Sequence, residues 1–171
     1  MTMVRLFLIT FLLITSIFSS MAQESNYEII PSEQDDELIY KGSCSFADIS
    51  AVPAFNWNDA LNDYEPDSVS ISILKEKLPA YQLSVFLGTW CEDSHRLIPQ
   101  LYKVLQEAGY PLEQVGLEAL DQNKKGRNNS EQQYDVLFVP TILVFKEGVL
   151  IGKITETVQE SIEGDLANMM K

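Results

Sequence analysis

Ser84-Val85-Phe86-Leu87-Gly88-Thr89-Trp90-Cys91-Glu92-Asp93-Ser94-His95-Arg96-Leu97-Ile98-Pro99 is the stretch on which the reading of this chain turns. Its first part completes the apolar run Leu83 to Leu87, long enough for one buried strand. A Gly-Thr-Trp turn follows, then a cysteine, then apolar residues at helical spacing. The pattern predicts a thiol at the point where a strand ends and a helix begins. Unpaired backbone N–H groups and the positive end of the helix dipole favour the thiolate there, which is the nucleophilic form. Glu92 and Asp93 oppose that preference through their charge, each by roughly 1 kcal/mol or less if exposed. Ser94 offers a hydroxyl to the thiolate. His95, the only histidine, stands four residues beyond Cys91, one turn along the same helical face.

Working outward, the helix after Cys91 should bury Leu97, Leu101, Val104 and Leu105 and stop at Gly109-Tyr110-Pro111. Pro99 removes one backbone donor inside it. Val115 to Leu120 reads as a strand, Asp121 to Ser130 as a polar loop and Glu131 to Tyr134 as a short helix. Ile142 to Lys146 and Val149 to Ile154 read as strands joined at Glu147-Gly148, and Ser161 to Met170 as a closing helix. Upstream, Asp67 caps a helix whose buried face is expected to carry Val69, Ile73 and Leu78. The order of strand, helix, strand, helix, strand, strand, helix implies an α/β sandwich with a mixed central sheet flanked by helices.

The N-terminal region has a different character. Arg5, the apolar run Leu6 to Ile17 and the small-residue ending Ser20-Met21-Ala22 read as a secretory signal peptide over residues 1–22. Residues 23–38 read as a flexible acidic arm, 39–82 as a lead-in packed on the domain, and 83–171 as the core. The rings of Phe55, Trp57 and Tyr64 either pack that lead-in down or form a peptide-binding patch. The chain carries 12 basic and 25 acidic residues, a net charge of −13. Losing Arg5 with the leader leaves 11 against 25, or −14. Such acidity argues against nucleic acid and anionic membrane surfaces as partners. The expectation is an exported protein, periplasmic or secreted, without stable membrane insertion.

Trp90-Cys91-Glu92-Asp93-Ser94 resembles the W-C-x-x-C motif of the thioredoxin superfamily, with serine in place of the second cysteine. Pro99 stands eight residues beyond Cys91, where thioredoxins carry a kinking proline, and Val139-Pro140-Thr141 matches the family's V/I-P-T segment. Gly148 follows at the family's hairpin spacing. The closer likeness is to exported thioredoxin-like proteins with a monothiol motif. The resemblance implies a thioredoxin-like fold and a cis Pro140 facing Cys91. It also implies a groove in which Trp90, Val139, Pro140 and Thr141 hold an extended substrate. Three departures stand beside it. Ser94 replaces the resolving thiol, Val85 occupies the place of a buried carboxylate, and Glu156 stands where relatives keep a glycine.

These readings name Cys91, Ser94 and His95 as catalytic candidates for thiol-disulfide exchange with a protein or small-molecule thiol or disulfide. No cofactor is implied, and Cys91, Cys44 and His95 lack the short spacing of a metal site. Cys44, the only other cysteine, either pairs with Cys91, as a staple or a resolving thiol, or is buried and inert. A thioredoxin-like module that binds a partner without catalysis is the alternative function, and a peroxide-sensing sulfenate at Cys91 is a third.

Overall fold

The computed structural model describes residues 26–34 and 36–170, so the expected signal peptide lies outside the described residues. Six strands form one mixed sheet: β1 (Asn26–Pro31), β2 (Leu38–Cys44), β3 (Tyr81–Leu87), β4 (Gly116–Ala119), β5 (Thr141–Lys146) and β6 (Val149–Thr155). Their spatial order is β1-β2-β4-β3-β5-β6. Only β3 and β4 run parallel; every other neighbouring pair is antiparallel. The helices are α1 (Phe46–Ser50), α2 (Trp57–Asn62), α3 (Ser68–Lys77), α4 (Glu92–Ala108), α5 (Ser130–Gln133) and α6 (Ile162–Met169). None of the described helices is long and apolar enough to cross a membrane.

The sheet divides the interior in two. On one face Leu83, Val85 and Leu87 of β3 meet Ile71 and Leu74 of α3, Leu97, Leu101, Val104 and Leu105 of α4, and Leu166 of α6. On the other, Phe86, Leu120, Val136, Val139 and Leu143 form a smaller cluster, with Trp90 and Cys91 packed at its margin. Strand alternation explains the split, since Val85 and Phe86 point to opposite faces. The strand–turn–helix unit therefore touches both cores and fixes the edge of the molecule at which Cys91 emerges.

Three expectations need correction. The stretch read as a flexible arm forms β1, paired with β2 from Asn26↔Ser43 to Pro31↔Leu38. Acidic composition concealed it, because what holds the strand is lateral pairing and the stacking of Tyr27 on Tyr40, ring centroids 4.4 Å apart. The lead-in, second, is not an addition to a core that begins at residue 83. It supplies β2, an interior strand, and α3, which packs against α4 and α6. Lys103 donates to the carbonyls of Leu61 and Tyr64. Glu163, buried on α6, accepts from the Tyr64 hydroxyl at 2.5 Å and the Asp67 N–H at 2.9 Å. Burial pushes the Glu163 carboxyl up, but these hydrogen bonds outweigh it and hold the group below the usual carboxylate range.

Third, α3 buries Ile71 and Leu74 while Val69 and Ile73 face solvent. Two stripes were available in its sequence; the one continued by Leu78 at helical spacing reaches the core. Asp67 caps this helix as expected, its carboxylate accepting the Ser70 N–H at 2.8 Å. The aromatic lead-in packs inward. Phe55 is buried, and Trp57 and Phe46 each set an edge against Tyr102 with centroids 5.3 Å apart.

Candidate functional site: a half-buried thiol at the head of α4

Leu87 ends β3, and Gly88 to Trp90 turn the chain into α4 with the Cys91 N–H donating to the Gly88 carbonyl at 3.1 Å. Glycine is required at the start of this turn. A Cβ on residue 88 would lie 2.7 Å from Cε2 of Trp90, whose indole folds back across the backbone. The indole N–H donates to the Leu120 carbonyl at 2.9 Å, tying the turn to the end of β4. Thr89 is buried, and its hydroxyl accepts the Tyr40 N–H at 3.0 Å, tying the turn to β2.

Cys91 is the N-cap of α4 with extended backbone, φ −101° and ψ 122°, and its side chain makes no capping hydrogen bond. The thiol instead donates to the Val139 carbonyl, with Sγ 3.2 Å from the oxygen. The Val139–Pro140 peptide bond is cis. The loop that carries it is held from both sides. The Thr141 hydroxyl donates to the Phe138 carbonyl at 2.8 Å, and the Glu156 N–H donates to the Pro140 carbonyl at 2.9 Å. Glu156 has φ +55°, a left-handed backbone that favours glycine and is held here by a glutamate. Beside Cys91 the loop leaves Leu137 and Phe138 69 % and 50 % exposed.

Ser94 and His95 reach the site through the turn. Ser94 is fully buried, and its hydroxyl oxygen accepts the Gly88 N–H at 3.1 Å. The His95 ring places Nε2 2.7 Å from the Thr89 carbonyl oxygen and lies edge-on to Phe55, centroids 4.8 Å apart. A carbonyl only accepts, so Nε2 carries a proton in this arrangement. Both side chains thus brace the backbone that presents Cys91. Val85 sits in the core in register with Leu117 and Ile142.

Cys44 occupies a different environment. It is 1 % exposed within the larger core, and its Sγ lies 3.9 Å from the Leu117 carbonyl oxygen. Burial first, then the charges of Asp48 and Glu118, push its thiol up to about 12. Both cysteines are free. Among the described residues no group of three or more His, Cys, Asp or Glu side chains converges as a metal site would require.

Two charged groups near the motif escaped sequence reasoning. Arg96 pairs with Asp93 at 2.8 Å across one helical turn, offsetting one of the acidic charges beside the thiol. Lys124, in the loop after β4, holds Nζ 4.9 Å from the centroid of the Trp90 ring. The available signal was topological: parallel neighbours β3 and β4 end on the same side, so the loops that follow them meet.

No protein-family model matches the sequence, and the search of curated proteins returned no match. Among solved structures, a protein of unknown function from Pseudomonas aeruginosa is similar, with a TM-score of 0.52 and 18 % identity over 71 % of this chain and 76 % of that one. Thioredoxin O2 from Arabidopsis thaliana aligns with a TM-score of 0.41 and 23 % identity over 69 % of this chain and 90 % of its own. Mitochondrial thioredoxin 3 from Saccharomyces cerevisiae gives 0.38 and 22 % over 58 % and 82 %. The architecture is α/β, with a six-stranded mixed sheet, its long helices on one face, and a cysteine opposite a cis-proline loop.

Proposed function

We propose that the protein carries out monothiol thiol-disulfide exchange through Cys91, outside the cytoplasm. The reading rests chiefly on one observation: the half-buried Cys91 thiol lies 3.2 Å from the backbone of the Val139–Pro140 loop, while the other sulfur is shut in the core. In the step envisaged, the Cys91 thiol loses its proton to solvent and the thiolate attacks one sulfur of a partner disulfide. An S–S bond forms to Sγ as the partner's S–S bond breaks, and the leaving thiolate takes up a proton. An external thiol then attacks the mixed disulfide and releases Cys91, because Ser94 supplies no second thiol. Trp90 and the loop Val139 to Thr141 frame the substrate, and Ser94 and His95 act as positioning residues. Cys44 takes no part. Export rests on the pattern of residues 1–22 alone.

The second reading, a partner-binding module without turnover, draws on the exposed Leu137 and Phe138 beside the site. It also draws on a groove of about 430 Å³ lined in part by Phe46, Trp57 and Tyr102. A glutathione-coupled disulfide exchange assay on the wild type, Cys91→Ser and Cys44→Ser separates the two. Activity lost with Cys91→Ser and kept with Cys44→Ser is the expected result. Loss with both would make Cys44 a resolving thiol, and inactivity of the wild type would favour the binding module.

A further inference from the structure

The loop that follows β4 is built to hold one side chain still. The Asp121 carboxylate accepts the N–H groups of Asn123 and Lys125, each at 2.9 Å, and its other oxygen takes the Lys41 ammonium at 2.7 Å. Hydrogen bonds from these donors hold the Asp121 carboxyl below its ordinary range although burial pushes it up. The Asp121 N–H donates to the Lys125 carbonyl at 3.0 Å, and the Lys124 N–H to the Asp121 carbonyl at 2.8 Å. Lys124 stands at the crest of this turn with φ +59°. Its ammonium lies over the Trp90 ring and spends one donor on the Gln122 carbonyl at 3.2 Å. An ammonium has three donors, so two N–H groups and most of the charge remain available. Trp90 is the residue before Cys91, and its own N–H is already committed to Leu120.

The neighbouring cations are occupied differently. Lys41 is paired with Asp121, Lys125 approaches the buried Glu131 at 3.7 Å, and Arg127 donates to the Asn26 side chain at 2.6 Å. On a chain of net charge −13, a fixed positive charge over the motif tryptophan attracts ligands that the rest of the surface repels.

Resting on the exchange reading above, we propose that Lys124 is a specificity-determining residue: it selects disulfides that carry a carboxylate close to the sulfur attacked by Cys91. The carboxylate meets the free ammonium donors at the Trp90 side of the groove, and the apolar part of the substrate lies towards Leu137 and Phe138. Both an acidic residue flanking a peptide cysteine and an acid on a small disulfide provide this chemistry.

The test compares exchange rates at Cys91 for two matched pairs. One pair is a neutral dipyridyl disulfide and a dithiobis(nitrobenzoate), which carries carboxylates; the other is a peptide disulfide with Asp or Asn beside its cysteine. Lys124→Gln should lower the acidic-to-neutral rate ratio by about three- to fivefold, as an exposed charge contact predicts, and raising the salt should erase the difference. Lys124→Arg should keep the ratio, and so should Lys125→Gln, whose ammonium faces Glu131. A shift in the peptide pair alone assigns the preference to protein substrates, in the small pair alone to small disulfides, and in both to the carboxylate whatever carries it. If both reagents of a pair react at Cys91 and Lys124→Gln leaves both ratios unchanged, the specificity proposal falls and exchange stands. If the wild-type Cys91 exchanges with none of the four, the exchange reading falls and takes this one with it.

Discussion

The two thiols of this chain are the same functional group in opposite settings, and the sheet accounts for the contrast. Cys44 closes β2 opposite Leu117, which lies opposite Val85, two residues before the end of β3. It therefore sits inside the row structure of the sheet, facing the larger core, with Asp48 and Glu118 near enough to penalise a thiolate. Cys91 sits four residues beyond the end of β3, where the strand has given way to a turn and free helical N–H groups begin. A few residues of position relative to the sheet's edge separate a buried packing group from a half-buried thiol at a helix N-terminus.

Alkylation is the most direct way to break that contrast. At pH 8 under native conditions iodoacetamide should modify Cys91 alone, with Cys44 labelled only through opening of the core. For a domain of ordinary stability that opening suppresses the rate by about a thousandfold or more. Mass spectrometry of peptides over time reads both sites in one sample. Comparable rates at the two cysteines would mean that Cys44 is reachable, and the case for its inertness would be lost.

Replacement sharpens the same contrast on the stability axis. Cys44→Ser places a hydroxyl among apolar side chains, with the Leu117 carbonyl 3.9 Å from the sulfur position, and should cost about 1–3 kcal/mol. Cys91→Ser changes a half-buried cap position and should stay within about 0.5 kcal/mol, because serine is itself a good N-cap. Urea midpoints at constant slope measure both. A larger loss at Cys91 than at Cys44 would reverse the assignment of the two roles.

What could be read without coordinates follows the strength of local pattern. The unit from Leu83 to Pro99 was legible because an apolar run, a glycine turn and a helical period agree over one continuous stretch. Gly109 was legible too, as the left-handed C-cap of α4 with φ +71°. β1 was hidden because its stabilising contacts are lateral, with Tyr40 and Gly42 across the ladder, or distant in sequence, as with Arg127 on Asn26. The partners of Ser94 and His95 were hidden for a related reason. Each bonds the backbone of the turn, Gly88 and Thr89, and only the curl of that turn brings those groups within reach. Helical spacing correctly set them within a turn of Cys91 but said nothing of which neighbour would claim their polar atoms. Lys124 lies more than thirty residues from Trp90 and is brought over it only by the parallel pairing of β3 and β4.

The smallest expected effect concerns the charge behind Cys44. Glu118 on β4 and Glu131 on α5 each keep one buried carboxylate oxygen, Oε1, without a hydrogen bond, that of Glu118 lying beside Gly126. Burial pushes the Glu118 carboxyl above the usual range, and the charge of Glu131 adds to that, against the Arg127 N–H and guanidinium, which lower it. The folded protein therefore holds a proton on Glu118 that the unfolded chain releases at about pH 4.3. Stability falls as pH rises from there through the raised value, and above it the whole penalty is in place. Glu118→Gln removes the ionisation and should raise Tm by about 2 °C at pH 7, with a smaller gain at pH 4. Thermal melts at the two pH values measure it. The alkylation rate of Cys91 should not move, since Glu118 bears on the buried Cys44 sulfur and not on the half-buried Cys91. An equal gain at both pH values would assign the effect to packing, and a loss at pH 7 would mean that the ionised Glu118 stabilises the fold.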